Sequence, residues 1–207
     1  MLVLMDRPAG DTKLVQIMDA AFAEAARRSG DWLVCRPGCT QCCHGAFAIN
    51  ALDVLRLRTG MQTLRAQQPA LAEVIELRAC AWLDEHLPSF PGDPATGLIG
   101  TSEEDQERFE DFANHAPCPA LDPSTGLCDV YEWRPMTCRV FGPPVRMGSG
   151  DALGCCELCF KGASDAEIGT CEMPVPHELE AQLLNEIGPA GEPGEAGETL
   201  VAFVLLH

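Results

Sequence analysis

The chain has 207 residues, of which 31 are acidic, 14 are Lys or Arg and 12 are Cys, and its formal net charge is −17. A chain of this length can bury one good hydrophobic core, so we expect one domain. A strongly negative surface repels phosphate backbones and anionic lipids, which argues against nucleic acid and membranes as partners.

The amino-terminal residues and the cysteine content both indicate a cytoplasmic protein. The apolar start of the chain breaks at Asp6, so it lacks the charged start and long apolar stretch of a signal peptide. No later apolar run approaches the roughly 18 residues of a membrane-spanning helix. Twelve cysteines in 207 residues lie below the roughly 8 to 10% typical of a small secreted disulfide scaffold. In a reducing compartment, clustered thiols are expected to bind metal rather than to form disulfides.

Three helices are predicted in the first part of the chain. Residues 12–29 carry apolar side chains at helical spacing. A second helix is predicted to begin after Asn50, a residue that caps helices well, and to end at Gly60. A third covers about 62–87, and Pro69 must start, kink or divide it.

The later part of the chain alternates short helices with irregular segments. Ser102 and Asp105 form a capping-box pattern at the start of an acidic helix. Residues 115–171 contain seven cysteines among many prolines and glycines, so apolar periodicity does not explain how this stretch is organised. A further helix is predicted at about 176–187.

These elements predict a mainly α fold, with a small helical core and long irregular cysteine-rich loops organised by metal. We divide the chain into a single cysteine-cluster metal-binding domain at 1–187, a flexible acidic Gly/Pro linker at 188–198 and an apolar segment at 199–207. The last segment is predicted to be a strand that covers the domain's own core, or alternatively one that contacts an oligomer partner.

Ten of the cysteines fall into three groups, and we predict all ten as metal ligands. They are Cys35, Cys39, Cys42 and Cys43, then Cys118, Cys128 and Cys138, and finally Cys155, Cys156 and Cys159. Cysteines separated by two or three residues can direct two sulfurs at one ion, as a zinc site or an iron–sulfur cluster requires. The side chains of adjacent cysteines diverge, so one of Cys42 and Cys43 binds a second ion, bridges metals or only packs.

Two arginines are predicted to assist the thiolate site. Thiolate ligands leave a negative charge on the site, which nearby cations or N–H donors must offset. Arg134 and Arg139 lie on either side of Cys138, and we predict both as partners of the bound metal group. Pro135 suits the first turn of a helix, which would place Cys138 beside free backbone N–H groups.

Two blocks of this sequence resemble the CxxCxxCC cysteine-cluster family, described as zinc- or iron-chelating domains. The first is CRPGCTQCC at 35–43, in which the first interval has three residues instead of two. The second block is CPALDPSTGLCDVYEWRPMTCRVFG at 118–142, and Asp53 and Arg56 fit the continuation of the first. The resemblance spans about 35–160. It implies metal binding by cysteine and leaves the metal and the biological task open.

The remaining cysteines and two histidines have weaker patterns. Cys80 lies on a predicted helix stripe and is expected in the core rather than at a metal. Cys171 stands alone, and its role is left open. His44 and His115 lie near cysteines and could complete a mixed Cys/His site, but we expect both to be structural or solvent-exposed.

Two functions are compatible with these patterns. The first is a non-catalytic metal-binding protein, in which zinc or an iron–sulfur cluster such as [4Fe–4S] serves structure, storage or recognition of a protein partner. The alternative is an iron–sulfur redox protein or a metalloenzyme with an unsaturated or redox-active site. A metal-delivery protein is a third hypothesis. Enzymatic activity is left undecided, because no catalytic pattern occurs beyond the metal ligands.

Overall fold

The computed structural model describes residues 7–147, 152–187 and 197–207. Within them the chain forms eight α-helices and two small antiparallel sheets, so the mainly α prediction is confirmed. The helices are α1 (Asp11–Ser29), α2 (Ala51–Gln67), α3 (Pro69–His86), α4 (Glu103–Glu110), α5 (Met136–Val140), α6 (Asp165–Thr170), α7 (His177–Ile187) and α8 (Val201–Val204). The strands are β1 (Gly92–Asp93), β2 (Leu98–Ile99), β3 (Val145–Arg146) and β4 (Leu153–Gly154), with β1 paired to β2 and β3 to β4. No described helix is both long and apolar enough to cross a membrane.

Helices α2 and α3 form a helical hairpin joined at Gln68. The predicted helix end at Gly60 is wrong, because α2 continues through this residue to Gln67. A glycine inside a helix costs only about 1 kcal/mol, and here its missing side chain makes room for the ring of Trp133. Pro69 begins α3, where its absent N–H would have had no helical partner. The predicted start of the third helix at residue 62 is therefore also wrong.

The carboxyl-terminal residues cover the core of this hairpin. Thr199 and Ile49 exchange backbone hydrogen bonds of 2.9 and 3.1 Å, and the chain then forms α8 instead of the predicted strand. Val204 and Leu205 are buried among the side chains of α2 and α3, because a helical turn puts several apolar residues on one surface. The segment thus covers the chain's own core. Residues 188–196 of the predicted linker lie outside the described residues, and the division into domain, linker and terminal segment stays a prediction.

A second core joins α1 and α7 to the other face of α2. Leu14 and Met18 of α1 are buried with Leu52 of α2 and Leu183 of α7. Met136, at the start of α5, belongs to the same cluster. Helix α5 lies within the second block of cysteines, so this core connects the helical part of the molecule to the cysteine-rich part.

A buried charge network fixes α5 relative to α1 and α2. Arg56 is 1% exposed and donates hydrogen bonds to Asp11 at the start of α1 and to Asp53 in the first turn of α2. The Asp53 carboxylate also accepts the backbone N–H of Met136, at 2.8 Å. Because Met136 begins the helix that carries Cys138, the network sets the position of that cysteine.

Candidate metal centre

The first cysteine loop, residues 33–49, lies between α1 and α2. Its backbone is folded by short-range hydrogen bonds: Cys39 N–H donates to the carbonyl of Arg36 at 2.9 Å, and Cys43 N–H donates to that of Thr40 at 2.8 Å. The second of these bonds closes a 3₁₀ turn, Gln41–Cys43. The backbone itself therefore folds the loop into successive tight turns.

Backbone hydrogen bonds attach this loop to the second block. The N–H of Cys118 donates to the carbonyl of Cys43 at 2.7 Å, and the N–H of Gly45 donates to the carbonyl of Ala116 at 2.9 Å. Within the second block, Cys128 forms an antiparallel bridge with Leu121. These contacts place Cys42 and Cys43 of the first loop beside Cys118 and Cys128.

We call the thiols that meet here the central thiol cluster, and Cys138 completes it from helix α5. The members are Cys42, Cys43, Cys118, Cys128 and Cys138. The first cysteine loop and the second block are joined by the backbone hydrogen bond between Cys118 and Cys43, and the helix that carries Cys138 is held to α2 by the Asp53 carboxylate. The cluster is therefore assembled from parts of the chain that are far apart in sequence.

Two adjacent thiols of this cluster differ in acidity. The sulfurs of Cys42 and Cys43 lie 4.0 Å apart. A hydrogen bond from Cys43, helped by the charge of Arg134, lowers the pKa of Cys42 to about 7. The same hydrogen bond, together with burial, raises the pKa of Cys43. Near neutral pH, Cys42 is thus partly a thiolate, which is the form that binds metal.

The other three thiols stay protonated in the absence of metal. Burial raises the pKa of Cys118 to about 12 and that of Cys128 to about 11. Burial also raises the pKa of Cys138, and the neighbouring Cys118 and Cys128 thiols add to the effect. Metal binding at this cluster must therefore release protons, which makes metal affinity fall as the pH is lowered.

A second group of thiols, which we call the outer thiol cluster, lies beside Gly142. Its members are Cys35, Cys39, Cys156 and Cys159. A Cβ atom on Gly142 would lie 2.9 Å from the Cys35 sulfur, and the Gly142 carbonyl accepts the N–H of Cys156 at 3.2 Å. The N–H of Cys159 in turn donates to the carbonyl of Cys156 at 2.9 Å.

The outer thiol cluster is surrounded by apolar side chains. Cys156 and Cys159 are buried with Phe160 and Cys171, and Cys35 packs against them. Burial, followed by the neighbouring Cys159 thiol, raises the pKa of Cys35 to about 12. The sequence did not indicate that Cys171 lies beside this group, because no other cysteine is near it in the sequence. Helix α6 returns the chain to the group just before Cys171.

The thiol sulfurs are close together but are not arranged around an ion. In the residues that the structure describes, no three His, Cys, Asp or Glu side chains are placed so that they could hold a metal ion together. The 4.0 Å between the Cys42 and Cys43 sulfurs is near the roughly 3.8 Å that tetrahedral coordination with metal–sulfur bonds of about 2.3 Å implies. Side-chain rotation about χ1 would have to bring the other sulfurs to the same point.

A family model matches the part of the chain that contains the second block. Residues 93–156 match the CxxCxxCC family. That family is described as a putative zinc- or iron-chelating domain. No curated protein and no solved structure matches the chain. The match supports metal binding in general and does not choose between zinc and iron.

The CxxCxxCC match covers only part of the cysteine pattern. It includes the three cysteines of the second block and also Cys155 and Cys156, whereas residues 35–43 and Cys159 lie outside it. The first cysteine loop nevertheless touches the matched stretch through the bond between Cys118 and Cys43. A backbone hydrogen bond thus connects a cysteine outside the family match to a cysteine inside it.

The two arginines of the second block have different surroundings. Arg134 lies over the ring of Tyr131, 3.8 Å from its centroid, and its charge lowers the pKa of Cys42. Arg139 is 3% exposed and donates to the carboxylate of Asp19 at 2.8 and 3.0 Å. Asp19 also lies 3.5 Å from Arg134, so one carboxylate pairs with both arginines, and Arg134 is the one whose charge lowers the pKa of Cys42.

Four further residues lie near the predicted cysteine groups or were predicted elsewhere in the fold. Cys80 is exposed on α3, so its predicted place in the core is wrong; the adjacent Ala79 takes the buried position instead. His44 and His115 are exposed, as expected for histidines that face solvent. Cys155 is exposed while the adjacent Cys156 is buried, so the two neighbours differ sharply in access to the outer thiol cluster.

Proposed function

We propose that this chain is a metal-binding protein that holds zinc or iron through the central thiol cluster. The observation that carries the proposal is the backbone hydrogen bond from Cys118 to Cys43. It joins the first cysteine loop to the family-matched second block, and five thiols converge as a result. Soft thiolate donors of this kind suit zinc and iron–sulfur groups better than magnesium or calcium.

A disulfide framework explains the cluster less well. All twelve cysteines are free thiols in the structure. Five thiols in one place cannot all be paired with each other, whereas four can satisfy one tetrahedral ion. Free thiols also suit a reducing compartment, and we therefore place the chain in the cytoplasm.

The coordination expected here favours a non-catalytic role. An ion with four thiolate ligands has no open position for substrate or water, in contrast to catalytic zinc. Structure, metal storage and recognition of a protein partner are the roles that such a closed site supports. In this setting the metal links the loops that apolar packing leaves irregular.

A redox-active iron–sulfur centre is the second candidate function. The fifth thiol of the central thiol cluster favours it, because a surplus ligand allows exchange at the metal. Hydrogen bonds and charges near the sulfurs tune such centres, and Arg134 supplies a charge of this kind. This candidate predicts iron and acid-labile sulfide instead of zinc.

The proposal is tested by purifying the full chain without oxygen and measuring its zinc, iron and sulfide content. The double variant Cys118→Ser/Cys128→Ser should lose the metal of the central thiol cluster. Cys80→Ser is the matched control, since Cys80 is exposed on α3, and its metal content should equal that of the wild type. A reduced, folded wild-type chain that takes up neither zinc nor iron after reconstitution would overturn the proposal.

A further inference from the structure

The first cysteine loop contributes to two places in the molecule. Cys42 and Cys43 belong to the central thiol cluster, whereas Cys35 and Cys39 belong to the outer thiol cluster. We propose that the outer thiol cluster is a second, separate metal centre whose ligands are Cys35, Cys39, Cys156 and Cys159. This inference rests on the proposed function only in assuming that the protein binds metal through thiolates.

Gly142 contacts two of these four cysteines: Cys35 where a side chain would be, and Cys156 through its backbone carbonyl. Its φ of +129° is a backbone conformation that favours glycine. A side chain at this position would meet the Cys35 sulfur at 2.9 Å, while the carbonyl of the same residue accepts the N–H of Cys156. The glycine therefore allows Cys35 and Cys156 to approach each other.

Two contacts at opposite ends of the Cys35–Cys39 stretch attach it to the segment that carries Cys156 and Cys159. Before the stretch, the carbonyl of Trp32 accepts the N–H of Phe160 at 3.0 Å. After it, the side chain of Gln41 donates to the carboxylate of Glu157 at 2.6 Å. Because both ends are fixed to the same segment, the thiols between them lie against Cys156 and Cys159.

The packing of the side chains gives the same assignment. Cys35 packs against the buried group that contains Cys156 and Cys159. Cys118 and Cys128 pack instead against the core of the α2–α3 hairpin. The thiols thus lie against two different apolar groups, as expected for two sites rather than one.

The donor set of the outer thiol cluster is complete for one tetrahedral ion. Four thiolates make a closed site of the structural zinc type, and the two-residue interval between Cys156 and Cys159 is the usual spacing for two ligands of one ion. Cys156 and Cys159 are buried among apolar residues, whereas Cys35 and Cys39 are partly exposed. Metal uptake would rotate the four side chains toward a common point and displace their protons.

Cys155 and Cys156 provide a matched pair of variants for the test. Cys155 is exposed and Cys156 is buried, although they are adjacent. Metal-free, reduced full-length chain is titrated with Co²⁺ under argon, and bound cobalt is counted from thiolate-to-cobalt charge-transfer absorption and by elemental analysis. We expect about two Co²⁺ per wild-type chain, one per tetrathiolate site, the same number for Cys155→Ser, and half that number for Cys156→Ser.

Other numbers of bound Co²⁺ per chain distinguish failure of the second centre from failure of the proposed function. A Cys156→Ser chain that still binds as much Co²⁺ as the wild type would overturn the second centre. A variant that loses all of its cobalt would also overturn it, because a single polynuclear centre is then indicated. A wild-type chain that binds no Co²⁺ would instead overturn the proposed function itself. Cys118→Ser/Cys128→Ser should retain one Co²⁺, held by the outer thiol cluster.

A second measurement keeps the inference testable if Cys156→Ser does not fold. Wild-type protein loaded with Co²⁺ is treated with increasing chelator, alkylated and analysed by mass spectrometry. Two separate centres predict that the four outer cysteines become reactive together, at a chelator concentration different from that for Cys118, Cys128 and Cys138. Simultaneous exposure of all seven cysteines, even when chelator is added slowly, would contradict separate centres.

Discussion

At the scale of single residues, Arg56 is the largest fully buried side chain of the molecule as described. It neutralises two buried carboxylates, Asp11 and Asp53. Burying such a group contributes little net stability by itself, because all three charges lose their hydration. Removing Arg56 is expected to cost more, because it leaves the buried Asp53 without a cation and Asp11 with only the partly exposed Arg7, at 3.4 Å.

The variant Arg56→Ala is therefore expected to lower the free energy of unfolding by about 3 to 5 kcal/mol. Urea denaturation of metal-free protein measures the change. Arg27→Ala is the matched control, because Arg27 pairs with Glu24 on the exposed face of α1, and its unfolding curve should match that of the wild type. An equal effect of the two variants would show that the buried network is unimportant.

The buried carboxylate of Asp53 should also make stability depend on pH. Burial raises its pKa to about 6, although Arg56 and the Met136 N–H act in the opposite direction. The folded chain therefore holds this proton more tightly than the unfolded chain, in which an Asp titrates near pH 4. The stability that this group contributes is full at low pH and is lost as the pH rises from about 4 to about 6.

In Asp53→Asn the titrating group is absent, so this component of the pH dependence should disappear. The unfolding free energy of the wild type minus that of the variant should fall as the pH rises from about 4 to about 6. A series of urea melts on metal-free protein across this range measures it. A difference that stays constant, or that grows with pH, would contradict the raised pKa.

Three interactions lower the pKa of Cys42. The hydrogen bond from Cys43 is the largest, a hydrogen bond with the backbone of Cys42 is next, and the charge of Arg134 is the smallest. In metal-free protein, Arg134→Ala should raise the pKa of Cys42 slightly, and Cys43→Ala should raise it more. The pH dependence of Cys42 alkylation, followed by mass spectrometry, gives both values. Arg134→Lys keeps the charge and serves as the control. If Arg134→Ala raised the pKa of Cys42 more than Cys43→Ala did, the charge of Arg134 would be the larger cause.

At the scale of elements, the contact between α2 and the second block depends on Gly60. A Cβ atom there would lie 2.6 Å from ring atoms of Trp133. Alanine is the better helix former by about 1 kcal/mol, but the ring is held by the 3₁₀ turn Tyr131–Trp133 and cannot easily retreat. Steric overlap therefore outweighs helix propensity at this position.

Gly60→Ala is accordingly expected to destabilise the protein by about 1 to 3 kcal/mol, the usual cost of overpacking. Gly169→Ala in α6 is the matched control, because nothing lies within 4 Å of a Cβ atom there, and it should stabilise by about 0.5 to 1 kcal/mol. Thermal melts of the two variants should shift in opposite directions. Melting temperatures that shift in the same direction would show that the packing of Trp133 does not require a glycine at position 60.

At the scale of the whole molecule, the helical part and the cysteine-rich part are stabilised differently. Leu57, Met61 and Ile75 are fully buried in the α2–α3 hairpin. The cysteine-rich loops also bury apolar residues such as Leu121, Val130 and Phe160, but they contain few regular elements, and metal–sulfur bonds are proposed to stabilise them further. Metal removal should then affect the two parts unequally.

Hydrogen–deuterium exchange with and without chelator tests this expectation. Removing metal should speed exchange in residues 33–49 and 115–160 by at least tenfold, because a structural metal contributes several kcal/mol to its surroundings. Exchange within α2 and α3 should change much less. Uniform acceleration across the chain would mean that the metal supports the whole fold rather than the loops.

The sequence by itself determined the features that are encoded within a few residues. Apolar spacing predicted α1, and the caps at Asn50 and Ser102 are confirmed by their side-chain hydrogen bonds. The motifs of the second block resemble the CxxCxxCC family, whose model matches residues 93–156. These signals are local, because a cap or a helix face is complete within one or two turns of chain.

Only the tertiary structure decided which distant residues meet. The assignment of Cys35 to one thiol cluster and Cys43 to another depends on contacts with Gly142 and Cys118, which no spacing within the first loop reveals. The continuation of α2 through Gly60 likewise depends on a ring supplied by the second block. Such outcomes are set by hydrogen bonds and steric fit between remote segments, and those interactions exist only once the chain has folded.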